Sequence, residues 1–323
     1  MKRPLAAALG VAGAVLLAAA SGHGQDYPAK PVRIIAGAAG ATSDILSRHL
    51  AQQLTERWGK QVTVDNRPGA GGTIAADVAA KAAPDGYTLH ITQVASFAAA
   101  VTLYKKLPYD PIKDFAPITL YAQTPLLLLA HSSMLPKNLR EFIDFAKKRP
   151  GQINFASASP GSVSHLTTEL FNHAAGLKLV HVPYKGSGAA MLALISGEAQ
   201  FSSIVIPNAL PQVKSGKVKA FAVTSKNRFA GAPDIPTAAE AGLPGFESTA
   251  WFGMSAPSRT PPDLISRLNR DIVEILCARA TREWMLAQGA EPLPSMPEEY
   301  AAFLRSEIVK WRKVIEISGA RAD

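Results

Sequence analysis

The residues best suited to hold a small polar group sit in short loops that follow apolar runs. In the first, Ile34 and Ile35 lead into Gly37, Ala38, Ala39, Gly40 and Ala41, then Thr42, Ser43 and Asp44. In the second, the run Ile153–Ala156 leads into Ser157, Ser159, Ser162, Ser164 and His165. Tyr184 and Lys185 occupy a third such loop, and Ser96 follows the run Tyr87–Thr92. Small residues let an anion approach the backbone, and a helix start leaves N–H groups free with partial positive charge. One helix end favours an anion by only about 0.3–1 kcal/mol, or ~2 when partly buried. Micromolar affinity needs about 8 kcal/mol, so several ends, hydroxyls and ordered water must converge. Ser43, Ser157, Ser159, Ser162 and Ser164 are candidate donors to a carboxylate. Lys185 adds charge unless it is simply a solvated lysine, and His165 is more often a packed or capping residue. Asp44 would repel a carboxylate, so it reads first as a helix cap, with acceptance from an amine or amide as the alternative.

Catalytic patterns are weak by comparison. Ser164 and His165 are adjacent and point in different directions from a helix start, so they are not a nucleophile–base pair. No G-x-S-x-G elbow surrounds Ser162, and the histidines lack metal-ligand spacing. Neither the Gly69–Gly72 run nor the Gly37–Gly40 run carries a nucleotide fingerprint. No cofactor or metal is expected. The competing class is a secreted enzyme, such as a hydrolase, whose site is assembled across a cleft.

The elements that must position these loops follow from the pattern. Val32–Ala36 reads as a strand, about Asp44–Arg57 as a helix ended by Gly59, and Gln61–Asp65 as a second strand. A Gly/Pro-rich loop from Asn66 to Gly72, a helix Ile74–Ala82 and a strand Tyr87–Thr92 complete βαβαβ, the pattern of a parallel sheet with covering helices. A similar αβ series follows the apolar run Leu126–Ala130: helix Leu139–Lys148, strand Ile153–Ala156, helix Leu166–Ala175 and strands Leu179–Val182, Phe201–Val205 and Ala220–Thr224. The spacing Thr237 to Glu240 marks a short capped helix. The helical C-terminal region is expected to fold back on the first unit. The reading is α/β, with parallel-rich sheets, covering helices and a hinge of two crossing strands. Domain I takes 25–124 plus 226–323, and domain II takes 125–225.

With 323 residues, 47% hydrophobic and 18% charged, the chain is globular and long enough for two domains. The formal charge of +9 is scattered, apart from short runs such as Lys147-Lys148-Arg149. That suits attraction of anions and not nucleic-acid binding. Lys2, Arg3 and the apolar Leu5–Ala20 form a secretion leader, 1–24, cleaved before Gln25; the run is too short to span a membrane. Cys277 cannot pair within the chain and falls on an apolar helical face, so it is expected to be buried. Secretion without disulfides fits a bacterial periplasm.

The same stretches resemble the Bug family, the periplasmic solute-binding proteins of tripartite tricarboxylate transporter type. The likeness covers essentially the whole mature chain. It rests on Tyr27-Pro28, Asn66-Arg67-Pro68-Gly69-Ala70-Gly71-Gly72, Pro84-Asp85-Gly86-Tyr87, Leu107-Pro108-Tyr109-Asp110-Pro111 and Gly161-Ser162-x-Ser164-His165. It continues in His181-Val182-Pro183-Tyr184-Lys185-Gly186 and Trp251-Phe252-Gly253. The resemblance implies a periplasmic binding protein type II-like fold whose two domains close over a carboxylated metabolite. It implies that the first-strand loop and the Ser157–His165 loop hold the carboxylate through backbone groups and water. It also implies a monomer that hands its ligand to membrane transporter subunits, or to a sensor, without catalysis. The family's first loop usually carries an aromatic residue and prolines, where this chain has Gly37-Ala38-Ala39; a looser loop and roomier pocket are expected. Where an acidic residue often faces the ligand, Ser202-Ser203-Ile204 stands. An amino-acid ligand is therefore disfavoured, and a plain carboxylate, or one with an apolar or aromatic body, is favoured.

Overall fold

The computed structural model describes residues 27–321, so the leader lies outside the described residues. Strand β1 (Val32–Ala36) pairs in parallel with β2 (Val62–Asn66) and β3 (Thr88–Gln93). Helix α1 (Thr42–Trp58) joins β1 to β2 and ends at Gly59, whose φ of 62° a side chain would resist. Helix α2 (Thr73–Ala80) joins β2 to β3, and after β3 a π-helical stretch, Ala95–Ala99, runs into α3 (Ala100–Leu103). The Leu107–Pro111 motif is a structural corner: the Asp110 carboxylate accepts the N–H groups of Ile112 and Lys113, and the Tyr109 hydroxyl donates to the Ser96 carbonyl.

Strand β4 (Phe115–His131) runs unbroken for 17 residues through both lobes. Beyond it, α4 (Leu139–Lys147) starts at Asn138, whose side chain accepts the Glu141 N–H at 2.9 Å. A second parallel unit follows: β5 (Asn154–Ser157), α5 (Val163–Ala175), β6 (Val180–Pro183), α6 (Ser187–Ser196) and β7 (Phe201–Val205), with β5 between β6 and β7. Helix α7 (Ile206–Lys214) and β8 (Val218–Val223) complete it. The chain returns through β9 (Thr249–Pro257), α8 (Pro262–Cys277), α9 (Arg279–Ala287), the short β10 (Glu291–Pro292) and α10 (Pro297–Ser318).

The sheet order β2-β1-β3-β9-β4-β7-β5-β6 explains the shape. The outer strands of each lobe are parallel, but β4 pairs antiparallel with β7, β8, β9 and β10. The sheets are therefore mixed where parallel-rich ones were expected, because β4, which pairs in both lobes, and β9, which pairs with β3 and the first half of β4, run in opposite directions. Hydrophobic clusters gather on either side of Pro125. One pair contains Leu46, Ile118, Trp251 and Trp311; the other contains Phe142, Phe155, Phe201 and Leu129.

Three expectations need correction. Residues 226–248 were assigned to the first domain, yet Ala238, Leu243 and Phe246 pack with Phe142 and Phe171 of the second lobe. The Ser248 N–H still donates to the Thr224 carbonyl, so the return crossing begins at Thr249. Thr237 and Glu240 do exchange reciprocal bonds at 2.8 and 3.1 Å, but they close a turn rather than a helix. Cys277 is exposed, since it lies in the last turn of α8, past the apolar stripe ending at Ile275 and Leu276.

Gly253 in β9 lets the sheet meet α10 closely. A Cβ there would lie 2.8 Å from Thr92 Oγ1 and closer still to the buried Tyr300 ring. Gly253→Ala is expected to destabilise the fold by about 1–3 kcal/mol in urea unfolding, as overpacking does; an unchanged midpoint would mean that Tyr300 yields freely.

Candidate functional site

Each polar loop begins at the carboxyl end of a parallel strand, where open α/β sheets bind ligands. The β1–α1 loop is held by Asp44. This carboxylate is 3% exposed and accepts the Gly40 N–H at 2.8 Å, the Asn66 amide at 2.9 Å and the Arg48 guanidinium at 3.1 Å. Asn66 also donates to the Gly37 carbonyl at 3.1 Å, which locks the glycine-rich motif to the first loop. Burial pushes the Asp44 pKa up, but the Gly40, Arg48 and Asn66 hydrogen bonds outweigh it and hold it below the ordinary carboxylate value. Asp44 is therefore not a cap at the first position: Ala41 is the N-cap residue, and Asp44 sits three residues on, reaching back. Because the folded pKa is depressed, the stability Asp44 adds is present above the unfolded value and lost as pH falls through the folded one. Asp44→Asn is expected to lower stability at pH 7 by about 1.5–3 kcal/mol, the scale of charged hydrogen bonds, and to narrow that gap below about pH 4. A difference independent of pH would contradict the carboxylate's role.

The β5–α5 loop is built the same way. Ser162 is the N-cap of α5, and its Oγ accepts the His165 N–H at 3.3 Å and donates to the Ser159 carbonyl at 2.7 Å. Ser164 Oγ accepts the Ala158 N–H at 2.9 Å and lies 3.0 Å from Ser162 Oγ. These hydroxyls shape the loop. His165 is buried and its Nδ1 accepts the Gly161 N–H at 3.0 Å, so its own proton sits on Nε2. It stacks on His181 with centroids 3.7 Å apart. Burial, then the neighbouring His181, pushes His165 down to about 3, and burial pushes His181 down to about 4, so both are neutral. Ser157 Oγ lies 2.6 Å from His181 Nε2, a Ser–His contact in form, but Ser157 has no accessible surface and cannot reach a substrate.

One cavity of about 930 Å³ joins these loops across the lobes. Thr42 and Ser43 at the start of α1 line it, as do Val163 and Ser164 at the start of α5. The N–H groups of all four lack an acceptor within their helices. Gly186 and Ser187 bring the start of α6 to the same space. Ala38, Ser159, Ser162, Tyr184 and Lys185 also line it. The other expected residues do not line it. Gly37 is half-buried and Ala39 and Gly40 are exposed on the first loop away from the cavity, with Asp44 buried beneath them; Ser157 and His165 are buried and support the second loop. Ser96 is buried in the π-helical stretch, and Ser203 Oγ is taken by the Thr168 hydroxyl at 2.9 Å.

Several lining residues escaped sequence reasoning. Gly69 and Gly71 come from the glycine-rich motif, whose composition was noticed but not its position. Gln93 ends β3, and Val94, Ala95, Leu103 and Tyr104 follow it; Val205 ends β7, and Ala250, Trp251 and Phe252 come from β9, far along the chain from both loops. Strand position beside β4 could have suggested the last group only once the sheet order was known. Among the described residues no cluster of three or more His, Cys, Asp or Glu could hold a metal ion, and no helix is long and apolar enough to cross a membrane.

Comparison with known proteins agrees with this architecture. Residues 46–320 match the family model of the tripartite tricarboxylate transporter family receptor. The chain belongs to that family. It is 36% identical over 319 residues to Protein BugT of Bordetella pertussis, covering 98% of each chain. Among solved structures, R. palustris Rpa4515 with adipate is similar with a TM-score of 0.82 and 33% identity, over 92% of this chain and 99% of that one. MatC (Rpa3494) from Rhodopseudomonas palustris with bound malate is similar with a TM-score of 0.77 and 36% identity, over 90% of this chain and all of that one. The α/β fold is that of periplasmic solute-binding proteins, and the chain is a solute receptor of this transporter class.

Proposed function

We propose that the mature chain is a periplasmic, monomeric receptor that captures one small carboxylate metabolite between its lobes and delivers it to the membrane subunits of a tripartite transporter. The carboxylate is gripped by the N-terminal ends of α1 and α5, with the α6 end and Lys185 beside them. Closure of lobe on lobe about β4 and β9 excludes water and strengthens the grip. No covalent chemistry is part of this reading. The leader 1–24 directs export and is removed.

The observation that carries the reading is that two helix starts, one from each lobe, open onto the same cavity. The adipate and malate in two related structures support a carboxylate in particular. A sensor as the recipient would rest on the family likeness alone.

The test is calorimetry and thermal melting of the mature chain against mono-, di- and tricarboxylates. A ligand at a hundred times its Kd should add about 2.7 kcal/mol of stability, and the carboxylate should be recovered unchanged. Ser162→Ala removes the α5 cap, at a cost of about 1 kcal/mol, and should weaken that ligand several-fold while the protein stays folded. If no carboxylate stabilises the protein, or if the ligand is consumed, receptor function of this kind is wrong.

A further inference from the structure

The far wall of the cavity is formed by apolar side chains. Val94, Leu103, Val205, Ala250, Trp251 and Phe252 form it. Three polar groups near this wall are bonded within the protein, whereas Ser96 Oγ beside Ala95 and Thr124 Oγ1 opposite Ala250 have no protein partner. The Trp251 Nε1–H donates to Glu307 at 2.8 Å, the Gln93 amide NH₂ to the Gly71 carbonyl at 3.1 Å, and the Tyr104 hydroxyl to the Ala70 carbonyl at 3.1 Å. Among the described residues lining the cavity, Lys185 is the one charged side chain, and none is acidic. Lys185 belongs to the polar side: the Tyr184 and Gly186 N–H groups donate to the Ser157 and Ala158 carbonyls, which ties its loop to the loop before α5. Asp44 is buried and shared by three donors.

We infer that the ligand is a monocarboxylate with an apolar alkyl or aryl body, and not a dicarboxylate or an amino acid. The inference rests on the carboxylate reading above. With the head group at the helix ends, the body of the ligand meets Trp251, Phe252 and Val205. A second carboxylate or an ammonium on that body would lose water without meeting an opposite charge on this wall. Each methylene that moves from water onto the wall should tighten binding about fourfold.

The experiment is calorimetry of the mature chain with butyrate, hexanoate, octanoate, benzoate, adipate, malate and glutamate at one pH and salt. Hexanoate should bind about fifteenfold tighter than butyrate and at least tenfold tighter than adipate, with glutamate weakest. Val205→Thr, which swaps a methyl for a hydroxyl at constant size, should weaken hexanoate several-fold more than it weakens malate. If adipate or malate binds tightest, or the alkanoate series is flat, this inference fails while carboxylate capture stands. A Val205→Thr loss that is equal for every ligand would reveal a structural effect and overturn the wall's role. If no member of the panel binds, carboxylate capture itself fails.

Discussion

Gly161→Val should cut ligand affinity by tenfold to a hundredfold or more while the protein still folds. Gly161 sits in the turn before α5 with φ of 71°, where a β-branched residue is strained by roughly 1–2 kcal/mol. A Cβ there would also lie 2.7 Å from Cδ1 of Leu103, which is 3% exposed and belongs to the opposite lobe. The strain acts on the loop in any state of the molecule. The clash acts only when the lobes meet, and overpacking of this kind costs about 1–3 kcal/mol, a tenfold loss per 1.4 kcal/mol. The two parts separate in a double-mutant cycle. Leu103→Ala should restore much of the affinity lost by Gly161→Val but none of the stability lost to backbone strain. Independent, additive effects on affinity would mean that Gly161 and Leu103 do not meet in the bound protein.

Acidification should destabilise the protein steeply between pH 6.5 and 5. His90, His165 and His181 are held neutral inside the fold, His90 near about 4 because it is wholly buried. His90 Nδ1 is 2.9 Å from the Ile35 carbonyl, and its ring packs near Phe97 and Phe115. The unfolded chain takes up protons near pH 6.5 that the folded chain refuses, so stability falls as pH falls. Each group withdraws up to about 1.4 kcal/mol per pH unit, and together they remove roughly 4–6 kcal/mol by pH 5, with the half-buried His181 counting least. Glu169, whose carboxyl is pushed up by burial and lies 3.8 Å from His165 Nε2, offsets part of this. Urea unfolding at closely spaced pH values measures the slope. It should reach about three protons or more, since burial also lowers His49, and fall by about one in His165→Asn, whose amide oxygen can still accept the Gly161 N–H. A flat profile would contradict the buried, neutral imidazoles.

The sequence made the local elements readable because local physics decides them. Gly59 and Gly176 stop helices at left-handed positions, Asn138 caps one, and the runs Val32–Ala36 and Phe201–Val205 are strands with the expected ends, whereas α5 starts at Val163 behind its cap Ser162, three residues before the expected Leu166. What depends on tertiary packing was harder to read. Pro125 looks like a break between two strands, yet β4 passes through it, paired there with Thr249. Thr237 and Glu240 carry a helix-start spacing, but Leu243 and Phe246 are drawn into the second lobe's core before a helix can extend. At the first loop, three good cap residues in a row hid the fact that Ala41 takes the cap position and Asp44 braces the loop from inside. The polar side of the candidate site was legible, since it lies in loops contiguous in the chain. Its apolar wall was not, because Trp251 and Phe252 reach it only through the pairing of β9 with β3 and β4.

The most direct measurement is a crystal structure of the mature chain with the tightest carboxylate from the panel. One carboxylate group should lie about 2.7–3.2 Å from backbone nitrogens at the start of α1, Thr42 or Ser43, and at the start of α5, Val163 or Ser164. A carboxylate touching only one of these helix ends, or resting outside the cavity between the lobes, would contradict the grip proposed for this receptor.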